Sequence, residues 1–213
     1  MPFLFRFYVT LGILFSSSFS VAEDSATQLL ALLKPIDNLS ANFQQESLDK
    51  NEKLLQKQIG RFVVKRSGEF FWYVNPPYEQ HIFSDGGVVK IYDPDLEQLT
   101  IKSIDQKTQM IPLLLFSDNA QKIIEQYTVN QIKEGKNPAF ELIPITNGHF
   151  FDRLIVVFLL NPDGHVPQRL EITDSLKQKT RVHFDNAVLN QPLDPGVFMF
   201  SIPEGIDVID ERH

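Results

Sequence analysis

Between residues 39 and 184 the chain is written in short runs of strand length, several of which alternate apolar and polar residues one by one, and most runs end in a turn signal. Alternate residues of an extended strand share a face, so each run offers one apolar side to a core. Leu39, Ala41 and Phe43 alternate in this way with Ser40, Asn42 and Gln44. Runs at 80–84 and 88–92 flank Asp85-Gly86-Gly87, and Asp93-Pro94-Asp95 leads into 97–102. The meander resumes at 127–132, 139–143 and 153–160, then after Asn161-Pro162-Asp163-Gly164 at 166–172, and again at 178–184. Short strands joined by tight turns predict an antiparallel sheet, sandwich or barrel.

Two stretches break the alternation. Residues 25–33 place Ala26, Leu29, Leu30 and Leu33 on one helical face, with a capping-box pattern at Ser25 and Gln28 and a stop at Pro35. "MIPLLLFSDNAQKIIEQ", from Met110, is apolar all round through Leu113, Leu114, Leu115 and Phe116, then carries a cap signal at Ser117-Asp118-Asn119. An apolar segment of this kind suits a plug or lid better than a surface helix.

The first 22 residues read as a secretory signal peptide: Arg6, an apolar run at 7–15 too short to span a bilayer, and a small-residue site at Ser20-Val21-Ala22. One domain, 23–213, is expected to follow. There is no cysteine, which excludes disulfides, thiol chemistry and an acylated N-terminal cysteine anchor. The formal charge of −7, without a Lys/Arg cluster, argues against nucleic acid. An exported, unanchored protein is expected.

Catalytic patterns are missing from the sequence. The five histidines form no HExxH, and there is no GxSxG. Asp93, Asp95 and Glu97 begin like a calcium loop, but position twelve is Ile104 where a glutamate is needed, so they read as a plain turn. No metal, no cofactor and no enzymatic activity are expected. Aromatics are the stronger signal: eighteen Phe, five Tyr and Trp72 supply broad apolar surface, for an ordinary core or for a ligand cavity. In "GRFVVKRSGEFFWYVNPP" the residues Phe62, Val64 and Arg66 share one face, and Arg61, Val63 and Lys65 the other. Arg66 thus stands on the apolar side. It either latches the sheet to its cover through spare helix-end carbonyls or pairs at the rim with Glu69 or another surface carboxylate. Lys177, Lys179, Arg181 and His183 read as an outward basic stripe on one strand, a solvated face or a docking surface.

"ANFQQ", "GRFVVKRSGEFFWYVNPP", "SDGGVVKIYDPDLEQLT", "PLLLFSDN" and "FMFSIPEGIDVIDERH" occur in this order along nearly the whole chain. The set resembles the periplasmic outer-membrane lipoprotein carrier family, LolA. The resemblance implies a mainly β fold: a single incomplete antiparallel barrel of about ten or eleven strands, its apolar cavity covered by a helical lid. It implies a monomeric periplasmic carrier for triacylated lipoproteins, loaded by an inner-membrane ABC transporter and unloaded onto the outer-membrane receptor LolB. Arg66 corresponds to the family's latch arginine, which bonds lid-helix carbonyls. Phe70 and Trp72 correspond to ligand-facing aromatics, and Leu115 and Phe116 to the lid. Ser67-Gly68 stands where family members often have a proline-containing turn. Taken with the alternation, the ligand-facing set is expected to be Phe62, Val64, Phe70, Trp72, Leu99, Ile101, Leu113, Leu115, Phe116, Phe140, Leu142 and Phe184. The competing reading is a periplasmic lipid-sensing regulator on a similar fold.

Overall fold

The strand-length runs become eleven strands of one twelve-stranded sheet in the computed structural model, which describes residues 24–104, 111–162, 164–199, 201 and 203–212. The expected signal peptide lies outside the described residues, as do Met110 and Asp163. Helix α1 (Ser25–Leu33) precedes β1 (Asn38–Leu48), β2 (Leu54–Lys65), β3 (Glu69–Val74), β4 (Gln80–Asp85), β5 (Val88–Asp93) and β6 (Gln98–Ser103). Two short helices, α2 (Ile111–Leu114) and α3 (Ala120–Ile124), come next. Then follow β7 (Tyr127–Glu134), β8 (Asn137–Pro144), β9 (Arg153–Asn161), β10 (Gly164–Thr173), β11 (Lys179–Leu189), a 3-10 turn at Pro195–Phe198 and β12 (Asp207–Asp210).

The order is β12-β6-β5-β4-β3-β2-β1-β11-β10-β9-β8-β7. Two hairpin meanders are joined where β1 pairs with β11, and the sheet stays open because β7 and β12 do not meet. Every pairing is antiparallel except β12 on β6. The expected ten or eleven strands become twelve: β12 is four residues long and exposed throughout, so no alternation announces it.

The inner face carries the main core. Phe62 and Val64 of β2 and Phe70 and Trp72 of β3 are buried there with Leu29 and Leu33 of α1. Phe43 stacks on Trp72 with ring centroids 3.7 Å apart. Gly60 makes room for this stack, since a Cβ there would fall 2.6 Å from the Phe43 ring and 1.9 Å from the Tyr73 carbonyl.

The outer face of the β3–β6 half is covered too. Phe71, Phe83, Tyr92 and Leu99 form a second cluster, packed with Ile101, Val197, Phe198 and Ile206. This corrects two expectations, because Leu99 and Ile101 face away from the inner cluster. In β6 the inward positions are held by polar residues: Thr100 pairs with the inward Ile91, and Lys102 with Val89. Reading apolar as inward fails on a strand whose outer face has a cover of its own.

The capping box does not form either. Asp24 takes the N-cap position of α1 with no side-chain cap bond, and the Ser25 hydroxyl instead accepts from the Gln131 N–H on edge strand β7 (3.2 Å).

Candidate functional site

Inward-pointing positions on β1 read Leu39, Ala41, Phe43, Gln45 from one end of the sheet to the other, and on β2 Val64, Phe62, Gly60, Gln58 at the paired positions. A cavity of about 170 Å³ lies toward the glutamine end. Trp72, Val74, Ile82, Leu170, Ile172 and Val182 form its apolar wall, with Pro112 and Leu113 of α2 and Phe150 of the β8–β9 loop against it. Gln45, Gln58, Gln80 and Thr180 complete the lining.

Of the expected ligand-facing residues, Trp72 and Leu113 line this cavity directly. Phe62, Val64, Phe70, Phe140, Leu142 and Phe184 are buried in the same inner cluster, with Leu115 and Phe116 among them from the lid segment. Val74, Ile82, Leu170, Ile172 and Val182 were not in the expected set. Strand parity could have found them: carrying the face of Trp72 two residues along gives Val74, and across the register gives Ile82.

The lid is held to the sheet at the opposite end. The Arg66 N–H donates to the Asp37 carbonyl (2.8 Å), and the Arg66 carbonyl accepts from the Asp118 N–H (2.7 Å). Its guanidinium donates from Nε to Asp37 Oδ1 (2.9 Å) and from Nη2 to the Lys34 carbonyl (2.5 Å), while Nη1 stands 3.8 Å from Asp118 Oδ1. Lys34 is the C-cap of α1, so a cation meets the negative end of that helix and one of its spare carbonyls. The expected carbonyls of the later lid helices are not the partners among the described residues: α1 supplies the carbonyl, and the lid supplies the Asp118 backbone and carboxylate. Parts of both readings of Arg66 are found: one helix-end carbonyl, that of Lys34, and the surface carboxylates of Asp37 and Asp118, while Glu69 instead takes Lys65 Nζ (3.1 Å) and Ser67 Oγ (2.9 Å). Those two bonds hold the Glu69 carboxyl below its ordinary pKa.

The turn that carries Asp37 is itself braced. Asn190 Oδ1 accepts from the N–H groups of Asp37 (2.7 Å) and Asn38 (3.2 Å), and Asn190 Nδ2 donates to the Pro35 carbonyl (2.8 Å). Near the other end of α3, Tyr127 stacks on Phe151 at 5.5 Å, and its hydroxyl lies 3.1 Å from His149 Nδ1. Burial pushes the Tyr127 phenol up to about 12.

The basic stripe is a different object from the one expected. Lys177 sits in the β10–β11 turn rather than on the strand and pairs with Asp152 (2.8 Å). Lys179 pairs with Glu52, and Arg181 with Glu171 (2.9 Å) and Glu52 (3.5 Å). Burial, then the Arg169 and Arg181 charges, lower the His183 pKa. Each Lys and Arg of the stripe therefore has a carboxylate partner. Among the described residues no group of three or more His, Cys, Asp or Glu could hold a metal ion.

A family model described as outer membrane lipoprotein carrier protein LolA matches residues 34–201. The outer-membrane lipoprotein carrier protein of Pseudomonas putida (strain W619) is 36% identical over 207 residues, 95% of this chain and 95% of its own length. That of Azotobacter vinelandii (strain DJ / ATCC BAA-1303) is 37% identical over 209 residues, covering 98% and 99%. An uncharacterized conserved protein from Thermus thermophilus shares the fold at a TM-score of 0.54 and 12% identity, over 88% of this chain and 100% of that one. An open sheet around a lidded apolar cavity and similarity along almost the entire sequence lead to one conclusion: the chain belongs to the LolA family of outer-membrane lipoprotein carrier proteins.

Proposed function

We propose that this chain is a periplasmic, non-enzymatic carrier. In this reading its signal peptide directs export, and its inner face takes up the acyl chains of lipoproteins released from the inner membrane by an ABC transporter. The cargo then passes to the outer-membrane receptor LolB. The observation that carries the reading is the apolar cavity roofed by α2, at the end of the sheet opposite Arg66.

Its size says how the site works. About 170 Å³ is close to the roughly 150 Å³ apolar cavity that holds benzene, and below the roughly 300–1,000 Å³ usual for larger ligands. An acyl chain therefore needs the lid to move, and the inner aromatics beneath α2 and α3 become its contact surface. Phe62, Val64, Phe70, Trp72, Phe140, Leu142 and Phe184 supply the sheet side of that surface, and Leu113, Leu115 and Phe116 the lid side. Leu99 and Ile101, on the outer face, do not take part.

Burial of about fifteen methylenes at about 0.8 kcal/mol each gains on the order of 12 kcal/mol against water. Holding cargo is easy, and release is the difficulty. Arg66 favours the closed state through its bonds to Lys34, Asp37 and Asp118, and so keeps affinity for cargo below that of LolB.

Incubation of the purified protein with inner-membrane vesicles carrying triacylated lipoprotein tests this. Wild type is expected to leave with lipoprotein bound and to lose it on addition of LolB. A protein that leaves empty would contradict the carrier reading and favour the regulator. An Arg66→Leu variant that surrendered cargo to LolB as readily as wild type would contradict the latch.

A further inference from the structure

Toward one end of the sheet the inner face changes character, over three adjoining rungs of the strand register. On β1 it turns from Phe43 to Gln45, on β2 from Gly60 to Gln58, and on β4 from Ile82 to Gln80, with Gln45 and Gln58 directly paired across the strands. On β11 it turns from Val182, opposite Gln45, to Thr180. All four polar residues line the cavity together with Trp72, Val74 and Ile82. Gln45 Nε2 donates to Gln58 Oε1 at 3.0 Å, which uses one of the four N–H donors that two primary amides carry. Not one charged side chain lines this cavity among the described residues.

A ligand whose tails lie among the aromatics puts its head in this polar zone of the cavity. Polar groups taken out of water there must be hydrogen-bonded, and amides and a hydroxyl suit neutral carbonyls. A phosphodiester held in the same zone would be desolvated with no cation to receive it.

We propose that Gln45, Gln58, Gln80 and Thr180 form a polar collar that hydrogen-bonds the neutral ester and amide carbonyls joining the acyl chains to the cargo's acylated cysteine, and so favours such cargo over phospholipid. The proposal rests on the carrier reading above. The tails supply affinity, while the collar sets depth and discriminates between heads.

Trp72 is the chain's one tryptophan and lines the cavity, so its fluorescence reports binding directly. Titrations would use a tripalmitoylated cysteinyl peptide, dipalmitoyl phosphatidylglycerol and the apolar dye 1-aminoanthracene, on wild type and on a Gln45→Leu/Gln58→Leu variant. The variant is expected to bind the lipopeptide about tenfold more weakly, as two lost hydrogen bonds imply, and the dye within about twofold of wild type. Its preference for lipopeptide over phospholipid should shrink by the same factor. Lipopeptide binding equal to or tighter than wild type would overturn the collar and leave the carrier reading standing. Wild type that takes up the dye but no lipopeptide would overturn both. Should the double variant fail to fold, Thr180→Val carries the same test, with about threefold weaker lipopeptide binding expected and an unchanged value contradicting the collar.

Discussion

Two neighbouring cations at the end of β2 hold opposite sides of the molecule. Arg66 reaches inward, to the C-terminal carbonyl of α1, to Asp37 and to Asp118 of the lid. Lys65 reaches outward, with its Nζ 4.2 Å above the Phe198 ring of the C-terminal segment. Both covers lie on apolar clusters, but they are fastened differently. The outer one is annealed by backbone: β12 pairs with β6, and the N–H groups of Asp207 and Glu211 donate to the carbonyls of Glu97 and Ile101, each at 2.8 Å. The inner one is held largely by side chains and a few turn bonds around Arg66. A ladder of backbone bonds makes a permanent cover, whereas a cluster of polar side chains makes one that can let go. Burial alone therefore does not mark a binding face; the way its cover is attached does.

The largest effect that would break this contrast is at Phe71, in the outer cluster. Phe71→Ala should cost about 3–5 kcal/mol in urea unfolding, with no gain in uptake of an apolar dye. Increased uptake there would mean that the outer cover opens too.

The inner seam should show itself in alkali. The folded chain holds the Tyr127 proton up to about pH 12, whereas an unfolded tyrosine releases it near pH 10. The folded state thus binds more protons in that window, and stability falls as pH rises from 10 toward 12, by an amount on the order of 2 kcal/mol. Tyr127→Phe should flatten this part of the pH–stability curve.

Arg66→Leu comes next. Its side chain is 32% exposed, so the loss of its charged bonds should cost only about 1–2 kcal/mol, together with a rise of severalfold in dye uptake. Lys65→Ala should cost about 0.5–1 kcal/mol and leave uptake unchanged, which separates the two neighbours cleanly. Smallest of all, Lys177→Gln removes a pair whose partners are 65% and 47% exposed; thermal unfolding should shift by no more than about 0.5 kcal/mol.

Much of the fold was legible because strand period, turn residues and two apolar interruptions agreed with one another. Eleven strands and all three helical segments follow from those signals. β12 was not legible, since Asp207–Asp210 is short, exposed and has no face to show. The site was half legible. Parity put Phe62 and Val64 on one face and the family resemblance put Phe70 and Trp72 on the ligand side, but alternation could not say which side of β6 was inner, and so misassigned Leu99 and Ile101. Arg66 stood out as a charge on an apolar face. Its partners Lys34 and Asp37 precede it by about thirty residues, beyond the reach of any local pattern. The stripe at Lys177 to His183 looked basic because its carboxylates, Glu52, Asp152 and Glu171, come from other strands and loops.

The central claim is that the inner cover is a lid which moves to admit acyl chains. With no native cysteine, spin labels at Gln121→Cys on α3 and Asn42→Cys on β1 report its position without interference. Their distance distribution would be measured by electron double resonance with and without a tripalmitoylated cysteinyl peptide. The empty protein is expected to show one narrow distribution, shifted and broadened by the peptide and partly shifted by Arg66→Leu alone. A distribution unchanged by bound lipopeptide would contradict this claim.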